Sequence, residues 1–379
     1  MPGLLDPVPY LDKLPHQELP ELSIFSTILS RGRWSIPESL NDSDNCFYDC
    51  LYNQFALNKY VDSESSKWQS QSSQKQTAIA AVSLLHDREK YVSEQVQPLQ
   101  DSELNGKWIM RIDPCFMTPD RDQLIMARTQ NMAITMPEAQ QLVDTINNFF
   151  SAFAEERFWK LYALSPDRWY IVSDKAINIH TVPPEKVLGQ SLKAYLLSGE
   201  DSQHWLNLFN EMQMILHQSP INKQRLAEKK LPINSVWFWG AGRAVEFSSE
   251  IKEASSSALQ PLIYTDNIFA KGLARIIRQQ ERDLPGEYQT VVGNHEREFI
   301  YIVEDLMQAV NNRDIFSWVG LLQQFEKRYL QSLLKEIQSG HIKQVEFISP
   351  SGTKLFLSRK LLRRWWRRKL PFHAFLTPG

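Results

Sequence analysis

Residues 202–243 read SQHWLNLFNEMQMILHQSPINKQRLAEKKLPINSVWFWGAGR, and the change of period inside this stretch decides the fold. In its first half Trp205, Leu208, Phe209, Met212, Ile215 and Leu216 recur at three- and four-residue steps, which predicts an amphipathic helix. Asp201 or Ser202 is placed to cap that helix and Pro220 to stop it. Ile233 to Trp239 is a short β-rich run, and Gly240-Ala241-Gly242 then predicts a sharp backbone turn. A helix that feeds a strand is half of an α/β unit. Along the rest of the chain, strands and helices keep alternating in the same way.

The polar side of this stretch is unusual. Asn210, Gln213 and His217 fall on one helical stripe, and Asn222, Arg225, Asn234 and Ser235 follow at the helix and strand ends, just before Gly240, Gly242 and Arg243. Amides, an imidazole and guanidinium groups beside a glycine turn suit an anionic ligand. The same set suits a buried junction that satisfies its own backbone groups. Both readings stand at this point.

Working outward, the chain has 379 residues, with 42% hydrophobic and 23% charged, so a sizeable core can form. A net charge of -2 argues against a generally basic nucleic-acid coat protein. No apolar run is long enough to span a bilayer, and a cytoplasmic location is expected. The cysteines Cys46, Cys50 and Cys115 are read as reduced core thiols, because no second pair completes a zinc site.

Upstream, residues 1–15 are expected to be an irregular Pro-rich arm, 17–31 and 46–58 helical, and 61–76 a Ser/Gln-rich loop. Lys107–Ile112 and Gln123–Ala127 are read as strands on either side of a turn DPCFMTPDRD, and Met136–Phe153 as a helix opened by Pro137. Downstream, Leu262–Thr265 and Tyr288–Val292 are read as strands around a short helix over 267–279. A long helix is expected from about Asp314 to Gly340, then a hairpin across Pro350-Ser351-Gly352. The fold class this predicts is α/β, a mainly parallel sheet flanked by helices, with a C-terminal β-hairpin and a basic helix. The expected partition is 1–100, a helical part of the body; 101–245, carrying the central helix and strand; and 246–379, ending in the hairpin and basic helix.

Two further features carry chemistry. Asp113, Asp120 and Asp122 gather in the expected turn, where they read either as solvated acids or as ligands for a cation. The segment RKLLRRWWRRKLPFH, Arg359 to His373, sets Arg363, Arg364, Arg367 and Arg368 around two tryptophans. It is read as a nucleic-acid grip, as a helix on an anionic membrane surface, or as a terminal helix docked on the body.

Taken together, MRIDPCFMTPDRDQL, NEMQMILHQSPINKQR, LPINSVWFWGAGR and the ending WRRKLPFH resemble the RpfE-type bacterial regulatory proteins, and more remotely the archaeal-type cofactor-independent phosphoglycerate mutases of the alkaline phosphatase superfamily. The resemblance implies a mutase-like scaffold, with Asp113-Pro114, Asn222, Arg225, Asn234, Gly240 and Gly242 at matching positions. Such mutases use two divalent metals and a serine nucleophile. This chain departs from them. The Asp-Gly metal loop is absent from its opening, and in EDLMQAVNNRD Ala309 stands four residues after Asp305, where a histidine ligand belongs. The resemblance therefore implies a relative without the metal centre: a regulatory protein, without a cofactor, binding a small anionic ligand or a protein partner, rather than an enzyme. An active mutase or phosphate-ester enzyme with rearranged ligands is the alternative.

Overall fold

The structure is a computed structural model that describes residues 22–35, 48, 51, 79–90, 99, 101–120, 123–128, 132–151, 158–244, 261–276, 279–288, 298–311, 314–351, 353–364 and 366–370. The chain divides into two compact units. The first holds Met1–Phe55, Ser255–Asn267 and Arg278–Gly379; the second holds Ala56–Ala254 and Ile268–Ile277. The expected segment 101–245 lies wholly inside the second unit, whereas 1–100 and 246–379 each contribute to both.

The described elements, in chain order, begin with α1 (Ser23–Arg31), β1 (Arg33–Ser35), α2 (Ile79–Lys90), α3 (Asp101–Leu104), β2 (Trp108–Asp120), β3 (Gln123–Arg128) and α4 (Met136–Ser151). They continue with β4 (Trp159–Ser165), β5 (Arg168–Ser173), α5 (Pro184–Val187), α6 (Ser202–Gln218), α7 (Pro220–Ala227), β6 (Ser235–Arg243), β7 (Leu262–Thr265) and α8 (Ile268–Ile276). The last are β8 (Glu281–Arg282), β9 (Phe299–Ile302), α9 (Asp305–Asn311), α10 (Ile315–Phe325), α11 (Gln331–Ser339), β10 (Gln344–Ile348), β11 (Lys354–Ser358) and α12 (Arg359–Leu362).

In the second unit five strands form one sheet, β3-β2-β5-β4 with β6 also on β2, and every pairing is antiparallel. The expectation of a mainly parallel sheet is not met here. Two residues separate β4 from β5 and β2 from β3, and a link that short can only fold back, since parallel neighbours need a crossover of a dozen or more residues. Alternate residues of β2 serve opposite faces. Met110 and Ile112 join the core under α4 and α6, where Ala139, Leu142, Ile146, Trp205, Met212 and Leu216 are buried. Ile109 packs instead with Ala80, Ala81 and Leu84 of α2. The sheet thus has helices on both faces.

Three local expectations change. The strand β2 runs straight through Asp113 and Pro114, where a turn was expected. Pairing with β5 ends at Ile112↔Trp169, before Pro114, so the missing proline N–H costs that side of the ladder nothing. Gly240-Ala241-Gly242 is a bulge rather than a turn: Arg111 faces Trp239 and Ile109 faces Gly242, so Gly240 and Ala241 together oppose Met110. Gly240 takes φ +67, the left-handed conformation such a bulge requires, and a Cβ there would lie 3.1 Å from Ile79 Cβ. Pro220 stops α6 but also opens α7 as its first residue, with the Ser219 hydroxyl accepting from Ile221 N.

The first unit holds two three-stranded sheets, β1-β11-β10, antiparallel, and β8-β7-β9, parallel. The hairpin β10–β11 forms as expected, with Ile348 paired to Lys354. The long helix from Asp314 to Gly340 also forms, with Asp314 accepting from Ser317 N at its start and Gly340 left-handed at φ +90 at its end. One π turn, Glu326–Leu330, interrupts it. There the Glu326 carboxylate accepts from Phe25 N at 2.9 Å and so caps α1, whose own N-cap Leu22 supplies no side-chain oxygen. The basic helix expected over 359–373 is a single turn, Arg359–Leu362, among the described residues. Among the described residues, no helix is long and apolar enough to cross a membrane.

Candidate functional site

The polar residues picked out in 202–243 all lie in the second unit, and those that hydrogen-bond can be followed to their partners. Asn222, on α7, donates to Leu216 O (2.7 Å) and Ile233 O (2.8 Å) and accepts from Ile233 N (2.7 Å). Asn234 accepts from Met117 N and donates to Met117 O, both at 2.8 Å. A side-chain amide carries one acceptor and two donors, so it can replace a strand neighbour at one residue. Asn147 of α4 does the same for Leu161 on β4, accepting at 3.1 Å and donating at 2.8 Å. Gln213 donates to Ser235 Oγ at 2.8 Å. Ser235 in turn hydrogen-bonds Cys115, whose thiol is pushed far above its usual range by burial. Cys115 is a free, buried core thiol; Cys46 and Cys50 lie outside the described residues.

Arg225 is fully buried. Its Nε donates to Leu231 O (2.9 Å), Nη2 to Met132 O (2.5 Å), and Nη1 to Glu138 Oε1 (2.9 Å) and Ala133 O (3.5 Å). Ala133 is held at φ +50, uncommon for a residue other than glycine. Glu138 also accepts from the Thr135 N–H and hydroxyl, a reciprocal cap on α4. Partial burial works against the Glu138 charge, yet the Thr135 backbone and then Arg225 hold its carboxyl below the ordinary range.

Asn210 and His217 share the outward stripe of α6 and are exposed, as is Arg243 at the end of β6. Gly240, in the bulge, and Gly242, paired just beyond it, are both buried. The donors of Asn222 and Asn234 are thus directed at backbone, those of Arg225 at backbone and the Glu138 carboxylate, and the groups that face outward are Asn210, His217 and Arg243.

A second network escaped the sequence reading. Arg111 grips Asp113 with Nε and Nη2 at 2.8–3.0 Å and lies over the Trp239 ring at 4.5 Å, while Trp239 Nε1 donates to Asp113 at 2.8 Å. Burial pushes the Asp113 carboxyl up, with the Arg111 charge and the indole pulling against it. On the same side, Arg168 makes a two-pronged contact with buried Asp87 at 2.8 and 3.0 Å, and Tyr170 donates to Asp87 at 2.7 Å. Burial, then Asp87, drives the Tyr170 phenol well above its ordinary value. The legible signal was alternation: Arg111-x-Asp113 and Arg168-x-Tyr170 put polar groups on one face of adjacent strands. Placing Asp113 in a turn hid it.

Metal ligation was weighed for Asp113, Asp120 and Asp122. Asp113 and Asp120 are seven residues apart on one extended strand, about 23 Å at the usual rise, so they cannot share an ion. Asp122 lies outside the described residues. Among the described residues, no group of three or more His, Cys, Asp and Glu is arranged to hold a metal. Asp305 opens α9, and Ala309, one turn on, is 5% exposed in the apolar core with Leu306.

Residues 104–222, all within the second unit, match the family described as 2,3-bisphosphoglycerate-independent phosphoglycerate mutase. The chain therefore carries, over that stretch, a phosphoglycerate-mutase-like scaffold. Among individual relatives, it is 27% identical over 139 residues to a probable 2,3-bisphosphoglycerate-independent phosphoglycerate mutase of Geobacter sulfurreducens, covering 37% of this chain and 34% of that one. It is 31% identical over 121 residues to the mutase of Methanosarcina mazei, covering 31% of this chain and 30% of that one. The match thus spans about a third of these curated relatives. The cofactor-independent phosphoglycerate mutase structure from Thermoplasma acidophilum aligns at 13% identity with a TM-score of 0.33, over 94% of this chain and 87% of that one.

Proposed function

We propose that this chain is a regulatory protein of the bacterial cytoplasm, built on a mutase-like scaffold, that binds a small anionic ligand or a protein partner without turning it over. The observation that carries this reading is Ala309. At the position where the resemblance calls for a histidine ligand, a methyl group is buried in the core one turn after Asp305, and it has no lone pair to offer a metal. The resemblance to RpfE-type regulators supplies the regulatory part. In this reading Asn222, Arg225 and Asn234 hold the frame. Asn210 and His217, two turns apart on the outer stripe of α6, meet the ligand, with Gln213 between them. No cofactor is required.

The alternative, an active phosphoglycerate mutase, is favoured by the names of the relatives. The two readings separate on one assay. Purified full-length protein is given 3-phosphoglycerate and Mn²⁺, and 2-phosphoglycerate is followed by phosphorus NMR. No conversion above the protein-free control is expected, while titration calorimetry detects phosphoglycerate binding that weakens about tenfold in His217→Ala, the cost of one charge-assisted hydrogen bond. Conversion that scales with protein concentration would overturn the proposal.

A further inference from the structure

The first unit ends in a surface that the mutase-like reading leaves unused. Between Arg359 and Leu370 the sequence RKLLRRWWRRKL contains no acid. Arg359, Lys360, Arg363, Arg367, Arg368 and Lys369 are exposed and Arg364 is half-buried. The segment is fixed in place, not trailing. Arg31 Nη1 donates to Leu362 O (2.7 Å), Arg367 Nη1 to Gly32 O (3.4 Å), and Leu370 N to Ser30 Oγ (3.0 Å), so it is pinned along the end of α1. Arg33, next along the chain, is exposed with its guanidinium 5.0 Å over the Phe356 ring. Trp366 is 66% exposed within this array. Among the described residues, Arg363, Arg364 and Arg368 have no carboxylate partner.

We infer that this edge binds single-stranded nucleic acid, with Arg363, Arg364 and Arg368 on phosphates and Trp366 stacked on a base. The inference is independent of the mutase-like site in the other unit. Unpaired guanidinium groups match phosphate geometry with two parallel N–H donors, which ammonium groups cannot do. Trp366, exposed among them, presents ring surface to solvent on which an unpaired base can stack, and stacking is sequence-tolerant. A bilayer surface fits less well. Lying on lipid requires a continuous apolar helix face, but the helix here is one turn long and its Leu362 is buried in the protein core. A duplex fits less well too, because its bases are already stacked and the described residues of the segment offer no helix long enough for a major groove. With the whole chain at -2, attraction stays local to this edge.

The test uses the full chain and a fluorescent oligothymidylate of about 15 nucleotides, within the usual site sizes. Anisotropy should report binding that weakens about 100- to 1,000-fold between 50 and 500 mM salt, the slope expected for about three or four phosphates. The triple variant Arg363→Ala/Arg364→Ala/Arg368→Ala should lose most of the affinity and about two units of that slope. Trp366→Ala should weaken binding about 5- to 100-fold at unchanged slope, with Trp366→Phe recovering most of it. Melting curves matching the parent confirm that the variants fold. Absence of binding, binding insensitive to the triple variant, or preference for phosphatidylserine vesicles that the oligonucleotide fails to compete away would each overturn the assignment.

Discussion

At Asn222 one side chain makes three hydrogen bonds to backbone, and a sequence cannot say whether such an amide points at a ligand or at its own chain. Both uses demand the same lone pairs and donors. The residue types and their clustering were legible; their targets were not, because these depend on where Ile233 and Met117 arrive from elsewhere in the chain. Arg225 makes the point quantitatively. Replacing it by methionine fills similar volume but strands Met132 O, Leu231 O and the Glu138 carboxylate. The expected loss is about 3–5 kcal/mol, as for breaking other buried pairs, read by urea denaturation at pH 7. Glu138 is held below its ordinary range when folded, so its stabilisation is present above the unfolded value and fades as pH falls through the folded one. The Arg225→Met penalty should therefore shrink progressively as the pH is lowered through and below the ordinary carboxylate range. A penalty that stays constant across an acid series would show that the Glu138 pair contributes nothing.

At the scale of elements, periodicity read well where one face is buried and the stop signals are strong. The helix over 136–151, the helix from 202, the long helix closing at Gly340 and the C-terminal hairpin were all legible. Strand direction was not, because it follows from link lengths that become clear only once β2 is seen to run through Asp113-Pro114. The glycines mislead for a related reason: they mark close approach, not only turns. Gly240 sits in the bulge against α2, and Gly272 lets α8 meet α2 so closely that a Cβ would lie 2.1 Å from Val82 O. Gly272→Ala must push two helices apart and should cost more than Gly240→Ala. The latter meets left-handed strain of about 1–2 kcal/mol and a contact of 3.1 Å. Thermal melting of the two variants ranks them, and the reverse order would discount the helix contact.

For the whole molecule, the division matters more than any single site. The stretch that matches the mutases, 104–222, belongs to the second unit, whereas Asp305 and Ala309 belong to the first. A sequence read end to end shows no such boundary, because the chain leaves the second unit after Ala254 and returns to it for Ile268–Ile277. That returning helix buries Phe269, Leu273, Ala274 and Ile276. A fragment 56–254 should accordingly melt well below a fragment 56–277, by roughly 10 °C or more for the several kcal/mol such side chains are worth. Equal melting temperatures would mean that the unit is complete without its last helix.

The interleaving also sets an order of events on the ribosome. The sheet of five strands emerges first, yet the helix that closes over α2 is synthesised only after β7, which belongs elsewhere. Until Ile277 clears the exit tunnel, Val82 lacks the helix that packs on it. A nascent chain paused between 254 and 268 would carry an uncovered apolar ridge, the kind of surface that chaperones bind.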